Sequence, residues 1–272
     1  MQIAIRHRLS LAVGPGISRA VQHLLLTPQT GPTQTVREWS IEMPGFEQAA
    51  SFVDAFGNRA HLVSQSRPEP ELAISVGGIV DTIDRNGVVG RLPGDIPPAL
   101  YRRPTALTRP AGAITSRFRG APRNAQDRIA LLHALMARVG EVVGSGEPSQ
   151  TQSQTRDGQS QSQAQAQAQA ATPPAADFAH AFIGAARALE IPARYVTGYL
   201  LTEDRPAALH AWAEAWDDGL GWIGFDAQQL VCPTDRHVRV AVGLDAVGTM
   251  PVRGVPVVGE PLVVAMSVEA AQ

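Results

Sequence analysis

The chain has 272 residues, of which 44% are hydrophobic and 18% are charged, as in soluble globular proteins with one large or two ordinary domains. The formal net charge of −2 gives no reason to expect nucleic acid or an anionic membrane as a partner. Cys232 is the only cysteine, which excludes an intrachain disulfide and favours a reducing compartment.

The N-terminal residues alternate apolar and polar side chains, the period of a half-buried strand. Ile3, Ile5, Leu9 and Leu11 carry the apolar positions. This stretch has no apolar segment of signal-peptide length, and nowhere does the sequence approach the roughly 18 apolar residues that a membrane helix needs. We therefore expect a cytoplasmic protein.

Alternating segments separated by turn residues continue to about residue 110. "VREWSIEM" places Trp39, Ile41 and Met43 on one face, and Gly57-Asn58 in "DAFGNRAHLV" is a hairpin signal. These patterns predict an N-terminal antiparallel β-domain over residues 1–110, which leaves residues 111–272 for a second domain.

The period changes to that of a helix at residues 122–143, with Asn124 as the predicted N-cap. His133 falls off the apolar face of this helix, and we interpret it as a solvated side chain and not a metal ligand. From residue 144 to residue 174, Gln alternates with Ser, Thr or Ala. Such a low-complexity insert has no large apolar side chain to bury and is predicted to be disordered, although an adhesive role for it stays open.

A second helix and several strands follow this insert and predict an α+β domain. The helix carries Phe178 and Phe182 on one face and ends before Pro192. In "HAWAEAW", residues 210–216, the large side chains point to one face of a strand and the alanines to the other. "WIGFD", "HVRVAVGLD" and "EPLVVAMSVEA" are predicted strands.

His210 and Asp226 are the candidate chemical residues of this domain. A papain-type site needs a cysteine at a helix N-terminus together with a histidine and a carboxylate. His210 opens one predicted strand and Asp226 ends the next, so Asp226 is placed to orient the His210 ring. On spacing alone, an ordinary strand histidine and a turn aspartate explain the pattern better than a catalytic pair does. Zinc-type spacing and nucleotide-binding glycine motifs are missing, and we expect neither a metal nor a cofactor.

Residues 175–245 resemble the bacterial transglutaminase-like superfamily, which has a papain-like cysteine protease fold. The motifs that carry the resemblance are "LEIPARYVTGYL", "HAWAEAWDDGLGWIGFD" and "RHVRVAVGLD". "VQHLLLTP" and "DAFGN" are similar to the β-domain that precedes this core in such proteins. The resemblance implies an α+β fold, with an N-terminal antiparallel β-domain and a core in which a helix packs on an antiparallel sheet.

The resemblance places His210 and Asp226 at the catalytic histidine and aspartate, and Ala175 at the catalytic cysteine. It also implies a binding groove with Trp212, Trp222 and Tyr199. Because a methyl group has no nucleophilic atom, we predict a catalytically inactive pseudoenzyme that binds a peptide or protein partner. The family context suggests an active paralogue as that partner.

Two alternatives stay open. The first is an active amidase or peptidase with a displaced nucleophile, for which Cys232 would have to fold back from the loop after Asp226. The second is a purely structural protein, which no residue of the sequence excludes.

Overall fold

The computed structural model describes residues 1–13, 16–92, 94–120, 125–145, 173–202, 208–256 and 262–271. The predicted N-cap Asn124 lies outside these ranges, and so does nearly all of the predicted disordered insert at 144–174. No helix in the described ranges is long and apolar enough to cross a membrane.

The α-helices lie between two runs of strands in an α+β arrangement, as the sequence predicts. The first part of the chain forms the strands β1 (Gln2–Ala12), β2 (Arg19–Thr27), β3 (Gln34–Glu42), β4 (Ala50–Val53), β5 (Arg59–Ser66), β6 (Glu71–Thr82) and β7 (Val88–Gly90). The helices are α1 (Gly112–Thr115), α2 (Ala125–Gly144) and α3 (Ala175–Ala188). The remaining strands are β8 (Ala193–Leu200), β9 (Leu209–Asp217), β10 (Gly221–Phe225), β11 (His237–Gly243), β12 (Val252–Val255) and β13 (Leu262–Ala270).

The N-terminal strands build two four-stranded sheets, in the orders β13-β1-β6-β3 and β12-β2-β5-β4. The inward residues of β1 are buried, as their alternation predicts, and Leu9 and Leu11 pack with Leu24 of β2 in one apolar cluster. The predicted hairpin joins β4 to β5. Its turn is held by the Asp54 carboxylate, which accepts the backbone N–H groups of Phe56 and Asn58 at 2.8 Å each.

Strand pairing crosses the predicted domain boundary at residue 110 in both directions. From the C-terminal part, β12 pairs with β2 and β13 pairs with β1. From the N-terminal part, β7 pairs with β10. Each part thus contributes strands to the sheets of the other. The division into domains at residues 1–110 and 111–272 stays a prediction.

The third sheet has the order β11-β8-β9-β10-β7, and α2 and α3 pack on one of its faces. Ala211, Ala213 and Ala215 of β9 lie on that face, where small side chains let Phe182 of α3 approach the sheet. His210, Trp212 and Glu214 alternate with these alanines and point to the opposite face. The predicted stripe of α2 is buried at Leu132, Leu135, Met136 and Val139.

That opposite face is covered in part by the N-terminal sheets. Ile3, Ile5 and Leu25 pack with Tyr199 of β8 and Val238 of β11 in one buried cluster. Tyr199 is fully buried, and its hydroxyl lies 3.0 Å from Nδ1 of His7. Strands of the N-terminal sheets cover the ring of Tyr199, and the binding role that the resemblance implies for it stays a prediction.

His7 is expected to make the protein less stable in mild acid. It is 2% exposed, and burial lowers its pKa from 6.5 to about 4. As the pH falls below 6.5 the unfolded chain binds a proton at this histidine before the folded chain does. The free energy of unfolding should therefore fall by up to about 3 kcal/mol between pH 7 and pH 4. Urea unfolding across this range should show a shallower pH dependence for His7→Gln, whereas the exposed-residue control His133→Gln should keep the wild-type dependence.

Candidate active site

The hairpin between β9 and β10 brings together the two residues that the sequence singles out. In this antiparallel pair, Ala213 faces Phe225, so the start of β9 lies beside the end of β10. Nε2 of His210 is 2.5 Å from Oδ2 of Asp226. His210 is 7% exposed and Asp226 is fully buried. The two side chains thus form the imidazole–carboxylate pair that the spacing allows.

A second histidine, His237 at the start of β11, joins this pair. Its Nε2 lies 3.2 Å from the same Oδ2 atom, and its Nδ1 accepts the backbone N–H of Thr234 at 3.1 Å. His237 lies in the motif "RHVRVAVGLD" that carries the family resemblance, but the sequence analysis does not single it out. The signal that could have found it is the position of "RHVRV" at the start of a strand directly after the Asp226 loop.

Asp226 is a buried carboxylate with all of its oxygens engaged. Oδ1 accepts the backbone N–H groups of Gln228 and Gln229 at 3.1 Å each, while Oδ2 faces the two histidines. Burial alone would raise the pKa of Asp226, but the hydrogen bonds from His210 and His237, with their charge, lower it to about 2. The carboxylate is therefore ionised over the whole neutral range.

These contacts fix the neutral tautomers of the two histidines. Because Nδ1 of His237 accepts an N–H, we assign its ring proton to Nε2, which donates to Asp226. Nε2 of His210 also faces this carboxylate, which only accepts, so we assign the proton of neutral His210 to Nε2. This assignment leaves a lone pair on Nδ1. His210 thus has the tautomer that a general base needs, with Asp226 orienting the ring.

Ala175 is the first residue of α3 and follows Pro174, whose side chain caps no N–H group. The side-chain amide of Gln228 donates to the carbonyl of Pro173 at 2.9 Å, which ties the start of α3 to the loop after Asp226. Ala175 is half-buried and packs against the apolar cluster that contains Ala227. A methyl group therefore stands at the positive end of a 14-residue helix, close to the loop that holds the carboxylate.

Two family models match this chain in the order that the fold requires. The transglutaminase-like superfamily core matches residues 122–227, and the bacterial transglutaminase-like N-terminal region matches residues 3–81. The chain belongs to the transglutaminase-like superfamily. A crystal structure of a candidate cysteine protease from Cytophaga hutchinsonii has the same fold, with a TM-score of 0.65 over 100% of this chain and 90% of that one at 23% identity.

Curated relatives of this transglutaminase-like chain are similar over a shorter stretch. The uncharacterized protein ML0607 of Mycobacterium leprae is 36% identical over 87 residues, which is 29% of this chain and 30% of that protein. The uncharacterized protein Rv2569c of Mycobacterium tuberculosis is 33% identical over 91 residues, 29% of each chain. The match therefore spans less than a third of these relatives.

Cys232 of the transglutaminase-like core lies beside a different histidine from the one that the active-enzyme alternative requires. Its Sγ is 3.6 Å from Nε2 of His133, whose Nδ1 is 2.9 Å from the carbonyl of Ile129. Since a carbonyl only accepts, Nδ1 carries the proton of neutral His133 and Nε2 can accept from the thiol. Burial, together with the negative charge of Asp84, raises the pKa of Cys232. The thiol form therefore dominates at neutral pH.

The aromatic residues predicted to line a groove lie in the interior of the transglutaminase-like core. Trp222 is fully buried, with the guanidinium of Arg194 4.0 Å from its ring centroid. Trp212 is 3% exposed and packs with Phe56 of the N-terminal part. Trp212 also lines a small pocket with His237 and Arg239, and the binding roles of Trp212 and Trp222 stay predictions. The sequence shows that these rings share one face of β9 and β10, but it does not show that the N-terminal part covers that face.

A buried ion-pair network lies on the same face. Glu214 accepts from Arg194 at 2.6 Å and from Arg239 at 3.0 Å, and Arg194 also contacts Asp95 at 3.2 Å. Burial would raise the pKa of Glu214, but the charges of Arg239 and Arg194 lower it. Because Arg194, Glu214 and Arg239 lie on β8, β9 and β11, the network links the strands that carry His210 and His237.

His210, Asp226 and His237 offer three ligand atoms within 4.8 Å of one another, a set that also occurs in metal sites. The hydrogen bonds argue against that use. A metal on Nε2 of His237 would require the ring proton to move to Nδ1, where it would oppose the N–H of Thr234. The three residues fit a proton-holding cluster better than a metal centre, and the expectation of no metal stays a prediction.

Proposed function

We propose that this chain is a transglutaminase-like protein that binds a peptide or protein partner without breaking its amide bonds. One observation carries the proposal: α3 begins with Ala175, and the resemblance puts the family's cysteine at this position. Acyl transfer in this architecture needs a thiolate at the helix start, and losing the nucleophile removes most of the rate.

The residues around Ala175 also depart from a catalytic arrangement. Pro173 and Pro174 precede the helix where the family pattern has glycine and valine, and Ala176 replaces glutamine. A cysteine lost in isolation would leave its neighbours unchanged. Changes on both sides of Ala175 therefore support a site that no longer performs the reaction.

The polar groups at this end of the core suit recognition of a peptide backbone. The N–H of Asp177 donates to the carbonyl of Pro174 at 2.9 Å, whereas the N–H groups of Ala175 and Ala176 have no acceptor within the helix and no side-chain cap among the described residues. Nδ1 of His210 carries a lone pair, and among the described residues none hydrogen-bonds to it. Together they offer donors and an acceptor to amide groups of a ligand. Recognition would then rest on these groups and not on the buried tryptophans.

An active paralogue in the cytoplasm is the partner that the family resemblance favours. Such a paralogue would present its own peptide segment or its substrate to the start of α3 and to His210. The single cysteine and the low net charge of this chain accord with that compartment.

The contact between Cys232 and His133 favours a second candidate, an amidase with a displaced nucleophile. The imidazole of His133 can accept the thiol proton, which is the first step of thiol catalysis. The raised pKa of Cys232 opposes this function, because it lowers the fraction of thiolate.

Incubation with a library of short peptide amides separates the two candidates. Equilibrium dialysis followed by mass spectrometry reports both which peptides the protein retains and which it consumes. We expect the wild type and Cys232→Ala to retain the same subset and to consume none of it. Consumption by the wild type that disappears in both Cys232→Ala and His133→Gln would overturn the proposal in favour of the displaced nucleophile. Failure to retain any peptide would remove the peptide-binding function.

A further inference from the structure

Strand β13 forms an outer edge of its sheet, and it has neither the short length nor the clustered charges of the other outer strands. The opposite edge, β3, carries Arg37 and Glu38 where its register with β6 shifts, and the outer strands β4 and β12 have only four residues each. By contrast, β13 has nine residues, with Glu269 as its single charged side chain. The residues 262–264 at its start are between 50% and 71% exposed. Long edges with few charges tend to pair with another chain.

The backbone of β13 offers unused hydrogen-bonding groups in a regular row. Val264 is the extra residue where the register with β1 shifts, and Ala265–Ala270 pair regularly. Just beyond this ladder the N–H of Ala271 donates to the carbonyl of Gln2 at 2.9 Å. Since backbone groups alternate in direction along a strand, those of Met266, Val268 and Ala270 point away from β1. No strand in the described part of the chain takes them up.

The charges next to this edge are complementary to those of an identical edge. On the outer face of the sheet, Arg8 of β1 is exposed and lies opposite Ala265 of β13. Glu269, four residues after Ala265 on the same face of β13, is exposed as well. Two copies of β13 can run antiparallel with Ser267 opposite itself. Glu269 of each copy then lies beside Ala265 of the other, in the same row as Arg8. With strands about 4.8 Å apart, the two long side chains can meet above the small alanine.

The same register also matches the apolar face. Met266 of one copy lies opposite Val268 of the other, and these residues carry the outward backbone groups. Met266 and Val268 already belong to the cluster that packs around Tyr199, so pairing would extend an existing core. A two-fold arrangement repeats each contact, which makes the interface self-complementary.

We propose that the occupant of this edge is a second copy of the chain, paired antiparallel through β13 about Ser267. The two four-stranded sheets then form one continuous sheet. Two Arg8–Glu269 ion pairs across the junction fix the register. This interface is remote from Ala175 and does not depend on whether the site binds a peptide.

Charge reversal tests the register without disturbing the interior, because Arg8 and Glu269 are both exposed. Sedimentation equilibrium should find a dimer for the wild type. Glu269→Arg and Arg8→Glu should each raise the dimer dissociation constant about tenfold, since each creates like-charge contacts at two symmetric places. The double variant Arg8→Glu/Glu269→Arg should recover the wild-type constant. Glu38→Arg, on the opposite edge, should have no effect.

Two results would overturn the proposal. One is a wild type that sediments as a monomer at every concentration, which would mean that a segment of the same chain, another ligand or solvent covers the edge. The other is a dimer whose dissociation constant in both single variants is unchanged from that of the wild type. Circular dichroism of each variant confirms that the fold is retained.

Discussion

The substitution Asp226→Ala is expected to lower the free energy of unfolding by about 4 kcal/mol. Asp226 is fully buried and accepts hydrogen bonds from the rings of His210 and His237 and from the backbone N–H groups of Gln228 and Gln229. Removing the carboxylate leaves four donors without an acceptor in the interior. Each such donor costs roughly 1 kcal/mol or more. Urea unfolding at neutral pH measures the change.

Asp218→Ala is the matched control for this substitution. Asp218 pairs with Arg128 at 2.8 Å, but its side chain is 65% exposed, so its loss should cost less than about 1 kcal/mol.

The free energy that the Asp226→Ala substitution removes should also depend on pH. The pKa of Asp226 is about 2, below the ordinary value of 3.8, so its contribution is present above pH 4 and disappears as the pH falls through 2. Equal unfolding midpoints for wild type and Asp226→Ala at pH 7 would show that the cluster does not stabilise the fold.

The substitution Ala175→Cys is expected to introduce a thiol that reacts with iodoacetamide about a hundredfold faster than Cys232 at pH 6. At the start of α3 the helix dipole favours a thiolate, and the resemblance places this position beside His210, whose lone pair would accept the proton. Burial raises the pKa of Cys232 and keeps it in the thiol form. Both thiols are present in the same molecule, so mass spectrometry of the two labelled peptides gives the ratio directly.

Much of the fold follows from local patterns in the sequence. The alternation in β1, the Gly57-Asn58 turn and the apolar stripe of α2 all predict elements that the structure contains. Each of these signals depends on neighbours along the chain, because a strand or a helix face is a periodic property of one segment. The contact between His210 and Asp226 is also local in this sense, since a short hairpin joins their strands.

The parts that sequence reasoning missed depend on contacts between distant segments. No periodicity shows that β13 returns to pair with β1, or that the N-terminal sheets bury Tyr199. The resemblance implies groove positions for Trp212 and Trp222, and no local pattern shows whether solvent or protein covers these rings. His237 joins Asp226 because β11 and β9 begin at the end of the sheet where β10 finishes, and local patterns do not reveal this arrangement of strands.

The labelling rate of Ala175→Cys in a Cys232→Ala background is the most direct test of whether the start of α3 and His210 can still activate a thiol at position 175. Iodoacetamide modification should be measured from pH 4 to pH 9, alone and with His210→Asn added. We expect the rate to reach its plateau at a pH well below the ordinary pKa of a thiol, and the whole profile to move to higher pH once His210 is replaced. A pH profile that matches a free cysteine and does not change with His210→Asn would contradict this expectation.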